Sequence, residues 1–347
     1  MSERSTPRAV IVLLGLACAL IVVFGVREVA SIAGPVFLAL VLVIAVAPVR
    51  SRLAARGAPL WLQVAVPFTI VVVVVLAMVA VLTVSVTQLA GLLPAYTTQF
   101  QDLLSQAQRI AAEYGFGNEQ LAKALRGIDP GSLLGVAQAL LSGLMSVLSS
   151  LFLIVVLLLS MSLDAPITAK ILGSVRADHP DLVAALSTFS HKTRRYLIVS
   201  TVFGIICSTF DVIALYLLGV PLPLLWGVLA LITTYIPNIG FVLGLIPPAT
   251  LALLNGGPRQ MLLVIAAYCV INVIFQGLVL PKYLGDAVGL STTMTFLSLI
   301  GWTFVLGPLG ALLAIPLSLL TKAVMIDSDP RAKWVGDLIS GRQGTAA

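Results

Sequence analysis

Charged residues are scarce in this chain of 347 residues. Only 10% of its positions are Asp, Glu, Lys or Arg, whereas 59% are hydrophobic and the mean hydropathy is +1.10. A typical soluble domain is about a quarter charged, so this chain cannot cover a water-facing surface with polar groups, and a soluble enzyme is excluded. The composition predicts an all-α polytopic membrane protein with room for about six to eight crossings.

Side chains that bind metals or carry out hydrolysis are also rare. The three cysteines, Cys18, Cys207 and Cys269, lie in apolar runs, which predicts packing and not disulfides or metal ligands. The two histidines, His179 and His191, share one polar segment at a spacing that fits no metal motif. The phosphate-binding pattern Gly-x-x-x-x-Gly-Lys is absent. We therefore predict no enzyme activity, no cofactor, no metal and no ATP-driven pump.

Positive charges are distributed unevenly along the chain, whose formal net charge is +6. Four segments hold 14 of the 20 Lys and Arg residues: the first eight residues, the 50–59 loop, the 164–195 segment and the chain from Lys322 onward. Lys and Arg collect in the cytoplasmic loops of membrane proteins. We therefore predict that both termini are cytoplasmic, and we assign the excess charge to topology and not to nucleic-acid binding.

Apolar runs and polar interruptions divide the chain into five predicted parts. The segment between the third and fourth spans has acidic and Gln-rich positions at helical spacing, which predicts extracytoplasmic amphipathic helices with a break at 114–118. The predicted parts are transmembrane helices 1 to 3 (1–87), the amphipathic helices (88–143), transmembrane helix 4 with a cytoplasmic amphipathic segment (144–195), a core of two repeated units (196–325) and a cytoplasmic tail (326–347).

The last third of the sequence contains a broken helical pattern that occurs twice. Two apolar arms flank Ile236-Pro-Asn-Ile-Gly240 in the first copy, and two flank Gly307-Pro-Leu-Gly310 in the second. A full span and a proline, Pro221 or Pro281, precede each copy. Each arm corresponds to roughly 20 Å of helix, which is too short to cross a hydrocarbon core of about 30 Å. The arms lie at 224–235, 241–254, 292–306 and 311–320.

Two topologies accommodate this repeat. If each copy is one span plus a re-entrant helical hairpin, the chain has about six full transmembrane helices and two hairpins. The second copy is then inverted relative to the first, and the two tips meet near the membrane midplane. If each broken pair is one long span, there are eight spans. We favour hairpins because the arms are short; a further alternative is that the prolines only kink core helices.

Several short motifs in this region resemble those of a known protein family. They are Ile236-Pro-Asn-Ile-Gly240, Pro281-Lys-Tyr-Leu-Gly285, Phe296-Leu-Ser-Leu-Ile-Gly-Trp302, Leu306-Gly-Pro-Leu-Gly310 and Ala314-Ile-Pro316. Together they resemble the autoinducer-2 exporter family of predicted permeases. The tail at 329–334 is similar to that of the branch named for autoinducer-2 export, so that the motifs cover residues 219–334.

The resemblance implies a secondary transporter in the bacterial inner membrane, with 196–325 as its transport core. It implies export of a small polar solute, with autoinducer-2 as the expected substrate. Two alternatives stay open: a sodium(lithium)/proton antiporter, and a non-transporting membrane scaffold that docks a partner on 88–143. The expected partners are the solute, the lipid bilayer, a sodium ion or proton, and further copies of the chain.

Four polar residues are candidates for the transport pathway. Asp211 is the only acid within a predicted span, and ionisable groups there are costly and usually functional, so it is the candidate for ion coupling. A hydrogen bond to a neighbouring helix is its alternative role. Asn238 lies at the first tip, where an amide can bind a polar solute or simply form a turn. Asn272 and Gln276, four residues apart, share one helix face and either line the pathway or join helices.

The tip glycines complete the predicted site. A re-entrant tip needs backbone turns that β-branched residues resist, and glycine permits close approach of the backbone to a ligand. We therefore expect Gly240, Gly307 and Gly310 to matter more for transport than any charged residue, and we expect a glycine in the first span, Gly15, to tolerate substitution.

The hairpin topology predicts that residue 259 faces the periplasm and residue 282 the cytoplasm. Single-cysteine variants at these positions, in a background without the three native cysteines, can be labelled with an impermeant maleimide from either side. We expect Arg259→Cys to react only from outside and Lys282→Cys only from inside. The opposite pattern would establish eight crossings and remove the inverted repeat.

Overall fold

The computed structural model describes residues 8–113, 131–237, 239–279, 290–329, 332, 335 and 336. Regular structure in these residues is helical, without strands. Short 3₁₀ or π-helical turns follow α3 (Leu93–Tyr96), α8 (Val273–Val279) and α11 (Ala323–Asp327). The helices are α1 (Arg8–Glu28), α2 (Ala30–Ala55), α3 (Leu60–Leu92), α4 (Thr97–Glu113), α5 (Gly131–Val175), α6 (Pro180–Leu217), α7 (Pro223–Thr233), α8 (Gly240–Asn272), α9 (Thr292–Leu306), α10 (Pro308–Leu312) and α11 (Ala314–Lys322).

Long apolar helices with exposed apolar faces confirm the predicted class of polytopic all-α membrane protein. Large side chains such as Phe152 (77% exposed) and Leu217 (78% exposed) point outward, an arrangement that is favourable in lipid and not in water. Among the described residues, five segments are long and apolar enough to cross a membrane: Ala30–Ala55, Leu60–Asp102, Leu141–Ser174, Pro180–Leu217 and Gly240–Val279. The first predicted span, within α1, is not among them.

Two helices continue beyond the predicted spans that they contain. The fourth span is predicted to begin at 144, and α5 is continuous from Gly131 to Val175. The fifth span is predicted to begin at 196, and the predicted helix Ser187–Arg195 is present as the start of the same helix, α6. The limits of both spans in the membrane stay predictions. Polar residues such as Gln, Lys and Arg are good helix formers, so leaving the apolar phase does not end a helix. The predicted amphipathic helix at α4 is present, while the predicted break at 114–118 lies outside the described residues.

The chain divides into two compact units. The first comprises Met1–Phe68, Ile154–Arg195 and Asp286–Ala347, and the second comprises Thr69–Leu153 and Tyr196–Gly285. The two broken helical pairs therefore belong to different units: α7 and α8 to the second, and α9, α10 and α11 to the first.

In the second unit, α7 and the first part of α8 pack side by side and antiparallel. A Cβ atom at Gly240 would overlap the carbonyl oxygen of Thr233, and one at Gly244 would lie 2.9 Å from Thr233 Oγ1 and 3.5 Å from Ala230 Cα. The pairing of 240 with 233 and of 244 with 230 means that the chain folds back on itself. Glycine is required because the backbones of α7 and α8 are in direct contact here and leave no room for a side chain.

A break within α8 separates this pair from the intact helix that follows. The backbone is non-helical at Gly256 (φ −138°) and at Gly257 (φ 73°, ψ −169°). Asn255 and Gln260 lie on either side of the break, and Gln260 Nε2 donates to the carbonyl oxygen of Leu218 at 2.6 Å. Asn255 Nδ2 donates to Gln260 Oε1 at 3.2 Å. These amides join the base of the folded pair to the end of α6.

In the first unit, α9 to α11 fold back by the same kind of contact. The turn is at Gly307 (φ 65°, ψ −145°), a conformation that side chains with a Cβ rarely adopt. A Cβ atom at Gly310 would overlap the carbonyl oxygen of Trp302, whose Nε1 donates to Ser318 Oγ at 2.9 Å. Leu309, at the tip, packs against Gly34 of α2. Gly310 and Ala311, which follow the turn, are buried.

The two tip glycines should resist any larger residue. Gly240→Val and Gly310→Val should each lower the Tm of the purified protein by several degrees, because overpacking costs about 1–3 kcal/mol even where side chains can move, and here the opposing atom is backbone. Gly15→Val is the matched control, since no atom lies within 4 Å of a Cβ added there. Wild-type Tm values for both tip variants would show that the close approach is not structural.

Candidate functional site

A small cavity in the second unit gathers three of the predicted site residues. Asp211 reaches it from α6, and Asn272 and Gln276 reach it from one face of α8 and the π-helical turn that follows. Its volume is about 10 Å³, the space of roughly one water molecule. The remaining lining residues come from α6, from the folded pair α7–α8 and from the intact part of α8: Cys207, Ala230, Thr233, Thr234, Phe241, Gly244 and Tyr268.

The cavity is small because α6 and α7 approach closely at two glycines. A Cβ atom at Gly204 would lie 2.9 Å from the Leu231 side chain, and one at Gly227 would overlap the Val212 side chain. Small residues at helix contacts in membranes allow this close approach. Asp211 lies between the two contacts along α6, and only 2% of its surface is exposed.

Two buried polar atoms in the lining make no hydrogen bond with any described residue. They are Oδ1 of Asp211 and the hydroxyl of Tyr268, a residue that is only 1% exposed. An unsatisfied buried polar group costs about 1–3 kcal/mol, and such groups are rare in native proteins. None of the described lining residues is Lys, Arg or His, so no basic side chain in the lining compensates the carboxyl group.

Hydrogen bonds to α6 fix the turn between α7 and α8 beside the cavity. The Tyr196 hydroxyl donates to the carbonyl oxygen of Tyr235 at 2.9 Å, and the Tyr235 hydroxyl lies 2.6 Å from Thr201 Oγ1. Because Tyr235 directly follows Thr233 and Thr234, these bonds hold both threonines against the cavity. Asn238, the predicted tip amide, lies outside the described residues.

The remaining predicted site residues lie elsewhere. Gly240 is not part of the cavity lining, but its contact with Thr233 sets how closely α8 packs against α7. Gly244, one helical turn later, is part of the lining. Gly307 and Gly310 belong to the first unit. The meeting of the two tips therefore stays a prediction.

Sequence reasoning missed Tyr268 and the threonine pair Thr233 and Thr234. A signal for Tyr268 was available, because Tyr268, Asn272 and Gln276 recur every four residues and so share one helix face. The threonines directly precede the first tip, but hydroxyl groups next to a turn are too common to single out from sequence alone.

The lining offers oxygen ligands and one thiol. A carboxylate, a phenol, hydroxyl groups and amide oxygens suit a hard cation, a proton or a single water molecule. In the described parts of the chain, no group of three or more His, Cys, Asp or Glu residues lies together. The volume excludes a solute much larger than water in this conformation.

Comparison with known proteins supplies the family context for this geometry. The sequence profile of the AI-2E family transporters matches residues 10–328. The AI-2 transport protein TqsA of Escherichia coli K12 is 32% identical over 320 residues, which are 91% of each chain. A second E. coli K12 protein, named "Putative transport protein YhhT", is 30% identical over 324 residues, which are 90% of each chain.

Replacing the buried carboxyl group should stabilise the protein. We expect Asp211→Asn to raise the Tm by several degrees, because the amide avoids the cost of an uncompensated ionised group in an apolar environment. Thr250→Val, on an exposed position of α8 outside the cavity, is the matched control and should leave the Tm unchanged. A lower Tm for Asp211→Asn would indicate that Asp211 is a structural hydrogen-bonding residue and not a functional one.

Proposed function

We propose that this chain, which belongs to the AI-2E family of transporters, exports a small polar solute and that this solute is autoinducer-2. The family and the relatives are transporters, so the chain is a membrane transporter and not an enzyme, and the scaffold alternative has no support. The proposed substrate rests on the similarity to the AI-2 transport protein TqsA across 91% of both chains.

The proposed topology has six full spans and two re-entrant hairpins, with both termini in the cytoplasm. Its support is the folded-back arrangement of the two broken pairs. The first arms, α7 with 11 residues and α9 with 15 residues, are about 17 and 23 Å long, well short of a membrane core of about 30 Å. The proposed assembly is a homo-oligomer, which the mass of the protein in nanodiscs can test.

The proposed site is the cavity around Asp211, next to the first hairpin. Discontinuous helices in transporters place their binding sites at such breaks. In the proposed alternating-access cycle, movement of the α7–α8 hairpin against α6 opens the cavity to one side at a time. Asn272 and Gln276 are then positioned to hydrogen-bond whatever enters.

A sodium/proton antiporter is the second candidate, and the size of the cavity favours it. A volume of about 10 Å³ accommodates a dehydrated sodium ion or a water molecule, but not an organic solute. In the exporter, the same carboxyl group serves as the coupling site for a sodium ion or proton. The two candidates therefore share Asp211 and differ in whether an organic solute moves with the ion.

The test is flux into sealed liposomes that contain the purified protein. We expect autoinducer-2 to move in wild-type vesicles at a rate that depends on an imposed proton or sodium gradient. Asp211→Asn should insert normally and lose the gradient dependence, while Thr250→Val should behave as wild type. Gradient-driven sodium flux without autoinducer-2 flux would replace the exporter by the antiporter, and unchanged gradient dependence in Asp211→Asn would remove Asp211 from the mechanism.

A further inference from the structure

A second, much larger cleft lies within the first unit. It is lined by the C-terminal part of α2, the start of α3, the C-terminal part of α5 and one residue of α6. Its volume is about 450 Å³, more than forty times that of the cavity beside Asp211. Sites for small organic molecules typically have volumes of about 300–1,000 Å³, so this cleft has the size of a solute and not of an ion.

Opposite charges face this cleft without neutralising one another. Arg50, half-buried at the end of α2, and Asp164, exposed on α5, both line it. Among the residues that the structure describes, neither forms a hydrogen bond or an ion pair through its side chain. A guanidinium donor and a carboxylate acceptor are therefore both available to a ligand.

Further polar groups line the same cleft. The Ser162 hydroxyl is on a residue only 8% exposed and makes no hydrogen bond with a described residue. Gln63 and Thr168 also contribute to the lining. Apart from Arg50, the residues that α2 contributes to the lining are apolar, and α2 is held by a hydrogen bond of 3.3 Å from Arg194 Nε to the carbonyl oxygen of Ile44. The cleft thus combines polar groups from α2, α3 and α5 with apolar side chains, many of them from α2.

The charges of the lining determine which ligand class fits. One positive and one negative side chain are balanced by a ligand without net charge that both donates and accepts hydrogen bonds. The headgroup of an anionic phospholipid would gain from Arg50 but would be repelled by Asp164. A hydroxyl-rich neutral solute or a zwitterion can hydrogen-bond with both side chains, and its carbon atoms can contact the apolar side chains of α2.

We propose that this cleft is a binding site for a small, net-neutral, hydroxyl-bearing solute, held by Arg50, Asp164 and Ser162. Arg50 belongs to the segment whose positive charges predict the cytoplasmic side. The cleft then serves as the cytoplasmic loading site of the transporter, and this assignment as a loading site rests on the proposed function. Solute binding in the cleft does not depend on the proposed function and is tested separately.

The test measures protection of a cysteine in the cleft. Thr168→Cys, in the full chain without the native cysteines, is labelled with a maleimide in nanodiscs, with ribitol as the neutral probe and acetate and choline as charged comparators. At ten times its Kd, ribitol should lower the labelling rate by about tenfold, because mass action leaves about a tenth of the sites free. Acetate and choline should give no protection at the same concentrations.

Matched variants locate the binding to the cleft. Ala165→Trp fills it and should abolish the protection, whereas Ile171→Trp, on the exposed side of the same helix, should retain it. Arg50→Gln and Asp164→Asn should each weaken the Kd of ribitol by about tenfold, the effect of losing one hydrogen bond to a charged group. Arg52→Gln, two residues along and outside the lining, should not.

Three outcomes would overturn the proposal: absence of protection by ribitol, equal protection in Ala165→Trp, or protection that requires anionic lipid in the nanodisc and not ribitol. Autoinducer-2 flux, measured on the same variants, separates this proposal from the proposed function. If autoinducer-2 flux persists in variants that no longer bind ribitol in the cleft, only the proposed binding site is refuted. If ribitol binds in the cleft but no autoinducer-2 flux is seen, only the proposed function is refuted.

Discussion

The structure depends on one constraint, that the backbone freed where a helix breaks inside a membrane cannot face lipid. Each unsatisfied N–H or C=O group there costs several kcal/mol. Both broken pairs meet this constraint by folding back so closely that a glycine lies on a carbonyl oxygen, Gly240 on Thr233 and Gly310 on Trp302. In the proposed hairpin topology, helices too short to span the membrane remain within it because glycine stands at those two positions.

The same close packing accounts for the candidate site. Because Gly204 and Gly227 bring α6 against α7, and Gly244 brings α8 against α7, the space left between the three helices is about the size of one water molecule. A carboxyl group enclosed in that space is expensive to keep, and Asp211 has no basic partner in the described lining. Retention of a destabilising group in a tightly packed place is characteristic of function.

The sequence predicted the class, the family and the two breaks correctly, since each is encoded locally. Composition alone gives an all-α membrane protein, and Gly with Pro at 236–240 and 307–310 marks both folded pairs. The start of α5 at Gly131 was not predicted, because hydropathy marks the apolar part of a helix and not its ends. The clustering of Asp211 with Thr233 and Tyr268, and the whole cleft at Arg50 and Asp164, joins residues far apart in the chain, which periodicity along one helix cannot reveal.

The most direct test of the folded-back arrangement is the distance between spin labels at Leu224 and Thr250, measured by pulsed electron paramagnetic resonance. Both positions are exposed, and they continue the antiparallel pairing of Ala230 with Gly244. Helix axes in contact are about 8–10 Å apart, so a hairpin predicts a spin–spin distance near 20 Å or less. A single long span would place the labels about 40 Å apart, and such a distance would contradict the hairpin and the cavity built on it.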